Sequence, residues 1–288
     1  RVNAMKYVTL SNGENIPTLG LGTYRLSSEE ARQSVARALQ HGYRLIDTAN
    51  FYMNEKAVGQ GIAESGVPRE EIFLTSKIWP SNYRKDKAAK AIDSTLHRLN
   101  VDYLDLLLLH QPVGKYTEAW VALEDAVRAG KVKSIGLSNF IDKDLDRILD
   151  QATIKPALVQ AESHPYWQRH ESRARLSKLG IAMEAWYPLG SANSKVLNEP
   201  IFKELAERYH KSVVQVILRW HIQAGNIVIP GSKNPAHIDS NFNIFDFELT
   251  EEDMAAIAQL DQNKSFLNVP KWVLGLTALV NVNYGRHQ

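Results

Sequence analysis

The 288-residue chain contains no cysteine. That removes disulfides, thiolate metal sites and cysteine nucleophiles together, and it fits a reducing compartment, with the cytoplasm as the expected location. No stretch approaches the roughly 18 apolar residues that a membrane-spanning helix needs, and no charged-then-apolar leader opens the chain, so no membrane association is expected. An excess of one charge is missing too. The 34 basic and 32 acidic residues leave a formal +2 without a long same-sign block, which offers neither a nucleic-acid footprint nor a polybasic patch. No G-x-G-x-x-G follows a strand-like run and no H-E-x-x-H or comparable ligand spacing occurs, so neither a Rossmann phosphate loop nor a metal site is expected. Arg1-Val-Asn-Ala precedes Met5, and strand-like sequence begins at once after it, so residues 1–4 are expected to be an addition ahead of the natural start.

What the chain does have is alternation. Tyr7-Val-Thr-Leu, Ser11-Asn-Gly and Glu14-Asn-Ile-Pro read as a short hairpin, since Asn12-Gly13 suits a tight turn with positive φ, and an N-terminal flap is expected there. Short apolar runs then alternate with amphipathic segments of about 10 to 15 residues, the mark of βα units around a parallel sheet. The strand candidates are Thr18–Gly22, Leu45–Asp47, Phe73–Lys77, Leu104–Leu109, Ser134–Leu137, Leu158–Ala161, Ile181–Ala185 and Ile227–Ile229. Between them, helix faces appear at Val35, Ala38 and Leu39, at Ala89, Ile92, Leu96 and Leu99, at Trp120, Leu123 and Val127, and at Val213, Ile217 and Trp220. Gly66 and Gly130 stand where helices should end, and Thr250-Glu-Glu-Asp has a capping-box pattern. Strict alternation without a linker predicts one closed (β/α)8 TIM barrel over residues 1–288 rather than an open doubly wound sheet.

A barrel of this kind builds its active site from the loops at the C-terminal ends of its strands. Those positions hold Thr23-Tyr24, Asp47, Lys77 with Trp79, His110, Ser138-Asn139, Gln160, Trp186 and Ser232-Lys233. Each has a plainer reading on its own: Asp47 capping a turn, His110 a satisfied buried histidine, Lys77 a surface lysine whose stem covers apolar surface. Together, an acid, a lysine, a histidine and the nearby Tyr52 at one mouth suit proton donation to a carbonyl. An ordinary tyrosine titrates near 10, and an adjacent ammonium is expected to lower that value. Asp47 would hold Lys77 in place, and His110 would orient the carbonyl oxygen as negative charge develops on it.

Asp47-Thr-Ala-Asn-Phe-Tyr52-x-Asn-Glu55, Lys77-Ile-Trp79, Leu108-Leu-His110-x-Pro112 and Gly136-Leu-Ser-Asn-Phe140, in this order between about Tyr7 and Asp261, resemble the aldo-keto reductase superfamily. Bacterial members related to 2,5-diketo-gluconate reductases are nearest in pattern, through His110-Gln-Pro112 and Ala185-Trp-Tyr-Pro-Leu-Gly190. The resemblance implies that Asp47, Tyr52, Lys77 and His110 form a catalytic tetrad. It further implies that Ser138, Asn139 and Gln160 hold a nicotinamide carboxamide, that Trp186 stacks on the ring, and that Thr23, Leu189, Ser191 and the Ile229–Asn241 stretch meet the rest of the cofactor. The alternative for Trp186 is core packing, and for Asn241, placed by the family pattern against adenine, a turn or cap.

One motif departs from the commonest family pattern, Pro-Lys-Ser with an arginine further on, two cations that grip the 2′-phosphate of NADP. Here Pro230-Gly231-Ser232-Lys233 is followed by His237, and a histidine mostly neutral at pH 7 does not replace a bidentate guanidinium. NADPH held by Ser232 and Lys233 with help from His237 is therefore the expected cofactor, with NADH as a second possibility. Tyr24, Phe51, Trp79 and Gln111 should line a pocket for small or medium carbonyl compounds. The apolar segment Ser265–Gln288, with Trp272, Leu274 and Leu276, either closes that pocket or packs on a partner molecule, although a monomer is the expected state. Two rival functions stay open: a Schiff-base barrel enzyme using Lys77, and a non-catalytic cofactor-binding subunit.

Overall fold

A computed structural model describes residues 4–191, 193–267, 269–280, 282–285 and 288. Arg1, Val2 and Asn3 of the expected N-terminal addition, and residues 268, 281, 286 and 287 of the apolar C-terminal segment, lie outside the described residues. The hairpin pairs β1 (Tyr7–Thr9) with β2 (Asn15–Pro17) in antiparallel register. Eight parallel strands follow: β3 (Leu21–Gly22), β4 (Leu45–Asp47), β5 (Phe73–Ile78), β6 (Leu104–Leu109), β7 (Val132–Ser138), β8 (Leu158–Glu162), β9 (Ala182–Trp186) and β10 (Asn226–Val228). They lie side by side in chain order. Parallel bridges Leu19↔Val228 and Gly22↔Gly231 join the first strand region to the last, so the sheet closes into a barrel. The junction is tight: a Cβ on Gly22 would stand 2.7 Å from the Ile229 carbonyl oxygen, so only glycine lets the two strands approach here.

Side chains alternate in and out along each strand. Leu45, Leu106, Leu108, Leu158, Ile227 and Ile229 gather in one buried cluster inside the barrel. Ile46, Leu107, Leu109, Val159 and Val228 join the larger cluster under the helices. The same parity continued to the strand ends turns Asp47, Lys77, His110, Ser138, Gln160 and Glu184 inward, so a polar layer stands directly above an apolar floor.

The hairpin seals that floor. Leu10 and Ile16 are buried in the inner cluster, and the Asn12 amide donates to Ser134 Oγ at 2.7 Å, at the start of β7. The expected flap is thus a plug at the end where the strands begin, opposite the mouth. Helix signals hold at Gly66, whose φ of 73° ends the helix Glu55–Ser65 in the left-handed region, and at Thr250, which forms a capping box with Asp253. On the helix Lys85–Leu99 the buried face carries Ala88, Ala91, Ile92, Thr95 and Leu99. Ala89, expected on that face, points to solvent, because adjacent alanines leave the helical phase open by one residue.

Candidate active site

A cavity of about 490 Å³ opens at the C-terminal ends of the strands. At its base β4 and β5 set an acid beside an ammonium. Lys77 Nζ lies 2.5 Å from Asp47 Oδ1, donates to the Thr48 carbonyl at 3.0 Å, and donates to the Tyr52 hydroxyl at 3.1 Å. Lys77 is wholly removed from solvent. All three ammonium donors are therefore committed, one of them to the phenol.

Tyr52 arrives from the short 3-10 turn Asn50–Tyr52 after β4. Behind that turn Glu55 accepts hydrogen bonds from Asn50, Ser76 and Arg98, which ties the turn to β5 and to the helix Lys85–Leu99. Met53, in left-handed conformation, ends it. Burial pushes the Tyr52 pKa up to about 12, against the lowering effect of Lys77. The expected net lowering is thus reversed: the ammonium limits a rise that desolvation dominates. Burial likewise opposes the charge of Lys77, but Asp47 and Tyr52 outweigh it and keep the amine protonated.

His110 directly follows β6 and is held edge-on by Trp79 at 5.0 Å and Tyr52 at 5.7 Å between ring centroids. Burial, then the Lys77 ammonium, hold its pKa well below the usual imidazole range, so the ring is neutral. Its Nδ1 is buried without a protein partner. Phe51 stacks on Trp79 with centroids 4.1 Å apart, and Tyr24 leans on Tyr52 at 5.2 Å. With the amide of Gln111 they form one side of the cavity wall.

The polar side comes from β7, β8 and β9. Asn139 has a φ of 68°, and its side chain donates to the His110 carbonyl at 3.2 Å while accepting from Trp186 Nε1 at 2.8 Å. Gln160 Nε2 donates to Asp47 Oδ2 at 3.0 Å and also, in a short contact, to Glu184. Ser138, Asn139, Gln160, Trp186, Leu189, Ser191, Ser232 and Lys233 all line the cavity. Lys233 pairs with Glu30 at 3.2 Å.

The aldo/keto reductase family model matches residues 18–262. The chain belongs to the aldo/keto reductase family. It is 46% identical over 260 residues to an aldo-keto reductase of Mycolicibacterium smegmatis, covering 89% of this chain and 94% of that one. It is 44% identical over 259 residues to the glyoxal reductase of Bacillus subtilis, covering 89% and 93%. Among solved structures, an aldo/keto reductase from Brucella melitensis superposes with a TM-score of 0.86 at 46% identity, over 90% of this chain and all of that one. A Bombyx mori aldo-keto reductase in complex with NADP gives 0.89 at 36% identity, over 93% and 96%.

Three of the expected cofactor residues, Thr23, His237 and Asn241, lie outside the cavity wall. Thr23 is buried, its hydroxyl donating to the Asp47 carbonyl at 2.9 Å, which braces β3 on β4. His237 is exposed and Asn241 buried on the helix Pro235–Phe242. Sequence reasoning also passed over wall residues. Arg25, with a φ of 63°, was signalled by its place directly after Tyr24 in the first strand-end loop. Leu267 enters from the C-terminal segment, which Glu162 holds down by accepting from Ser265 Oγ and the Phe266 amide, each at 2.6 Å. Trp272 is 71% exposed on the helix Lys271–Thr277 and does not line the cavity. Glu184, which the strand parity it shares with Trp186 turns inward, lies behind the wall and contacts Gln160. Among the described residues no group of three potential metal ligands occurs, and no helix is long and apolar enough to cross a membrane.

Proposed function

We propose that the protein reduces small aldehydes and ketones to alcohols, with NADPH as the reductant and Tyr52 as the proton donor. The observation that carries this reading is the chain Asp47–Lys77–Tyr52, whose phenol faces the cavity between His110 and the aromatic wall. The residues present fit a nicotinamide cofactor. Ser138, Asn139 and Gln160 offer amide and hydroxyl groups beside the partly exposed Trp186 ring, and Arg25, Ser232 and Lys233 offer a hydroxyl and cations elsewhere along the same cleft. The Bombyx mori relative was crystallised with NADP, and the Bacillus subtilis relative is a glyoxal reductase.

When bound, the reduced cofactor supplies a hydride to the carbonyl carbon. Tyr52 gives its hydroxyl proton to the carbonyl oxygen, so the product is the neutral alcohol and the phenolate left behind faces Lys77. Because burial keeps the phenol protonated across the neutral range, Tyr52 starts each turnover in the donor form. Lys77 stabilises the phenolate that follows. Neutral His110 donates a hydrogen bond to the same oxygen without bringing a second cation beside Lys77.

Lys233, exposed and paired with Glu30, would meet a 2′-phosphate where Gly231 and His237 replace the usual cations, so NADH is expected as a weaker second cofactor. The Schiff-base alternative is disfavoured because imine formation needs a neutral amine, and the partners of Lys77 hold it charged. Mixing the protein with NADPH and a panel of aldehydes, including dicarbonyls, and following nicotinamide absorbance tests the reading. Loss of absorbance with at least one aldehyde is expected; none across the panel would overturn it.

A further inference from the structure

Glu184 is fully buried inside the barrel, and the reaction outlined above does not use it. It stands on β9 in direct register with Gln160 on β8. Gln160 Nε2 has two hydrogens, and both are spent on carboxyl groups: one on Asp47 Oδ2 at 3.0 Å, the other on Glu184 Oε1. A glutamine amide reads much the same either way round until its neighbours choose. Asp47, paired with the Lys77 ammonium, chooses, because the opposite orientation would turn the amide oxygen on its carboxylate, and Glu184 accepts the second hydrogen. Gln160 Oε1 is then the amide atom left for whatever occupies the cavity that Gln160 lines. Glu184 Oε2 has no protein partner, so the hydrogen-bonding work of this carboxyl is confined to Gln160.

We propose that Glu184 is a positioning residue, which locks the Gln160 amide so that its oxygen accepts a hydrogen bond from the carboxamide of the bound nicotinamide. The inference rests on the proposed cofactor reading and deepens it. Charge supports it. Burial, then Asp47, push the Glu184 pKa up to about 8, so near neutrality the group accepts through Oε1 without adding a second anion beside the Asp47–Lys77 pair. A glutamine in its place would do the same, whereas an isosteric apolar residue would not.

The test uses the intact protein and the binding of two dinucleotides, followed by quenching of tryptophan fluorescence: NADPH, and its 3-acetylpyridine analogue, which lacks the carboxamide N–H. In Glu184→Leu, NADPH should bind about fivefold more weakly, the size of one lost hydrogen bond, while the analogue stays within twofold. Glu184→Gln should restore the wild-type preference for NADPH, and Gln160→Leu should abolish it, with no further loss when combined with Glu184→Leu. Equal weakening of both dinucleotides in Glu184→Leu, or a Glu184→Gln protein as impaired as Glu184→Leu, would overturn the positioning role. Thermal unfolding curves identify a variant that fails to fold, in which case the Glu184→Gln comparison decides. Binding of neither dinucleotide by the wild type would overturn the cofactor reading itself, and this inference with it.

Discussion

The Lys77 ammonium and the Tyr52 hydroxyl meet at 3.1 Å in a position where the lysine has no access to solvent. A buried cation of this kind persists only with a paired anion and filled donors, and Asp47 and the Thr48 carbonyl provide both.

Replacing Lys77 with methionine should therefore do two separate things. It leaves the Asp47 carboxyl buried without its cation, which costs roughly 3 kcal/mol of stability, read as a lower denaturant midpoint at unchanged slope. It also removes the charge that stabilises the Tyr52 phenolate, so carbonyl reduction should fall by at least about 100-fold. A variant with wild-type turnover would remove Lys77 from the chemistry.

Cofactor preference should respond to the Lys233–Glu30 pair in opposite directions. Lys233→Ala should cut the efficiency ratio of NADPH to NADH by about tenfold, the scale of one charge-assisted phosphate contact. Glu30→Gln frees the lysine from a competing carboxylate and should raise the ratio, by only about twofold because the pair is exposed. Steady-state kinetics with both cofactors reads each change, and an unchanged ratio in Lys233→Ala would misplace the phosphate site.

Glu184 makes stability depend on pH. Its folded pKa of about 8 lies above the 4.5 of a free glutamate, so the folded state holds this proton more tightly than the unfolded chain. The contribution is fully present below about pH 4.5 and is lost as pH rises toward about 8, at a slope of up to about 1.4 kcal/mol per pH unit. Glu184→Gln should flatten that part of the profile and be more stable than the wild type at pH 8 and above. Chemical denaturation between pH 5 and 9 measures it; parallel wild-type and variant profiles would contradict it.

Most of the barrel is legible in the residues because strand parity and helix period are written in apolar positions. Leu104–Leu109 reads correctly since both faces of a parallel strand are buried. Asp47, Lys77, His110, Ser138 and Gln160 emerge from the rule that strand ends carry chemistry, and the cavity gathers them or their partners. Depth is what a sequence conceals. The neighbours of Tyr52 are deducible, but the desolvation that outweighs Lys77 is not. Glu184 hides for a related reason: an acid in the run Ile181–Ala185 looks like an interruption until the register with Gln160 is known. The C-terminal segment has no period to read, because Glu162, far off in sequence, fixes its start.

The role of Tyr52 is tested most directly by Tyr52→Phe, which deletes one oxygen and leaves the ring against Tyr24 and His110. With Tyr52 as the proton donor, the efficiency of aldehyde reduction should fall by roughly 100- to 10,000-fold, while NADPH binding, followed by tryptophan fluorescence, stays at the wild-type level. Efficiency within tenfold of the wild type would contradict it.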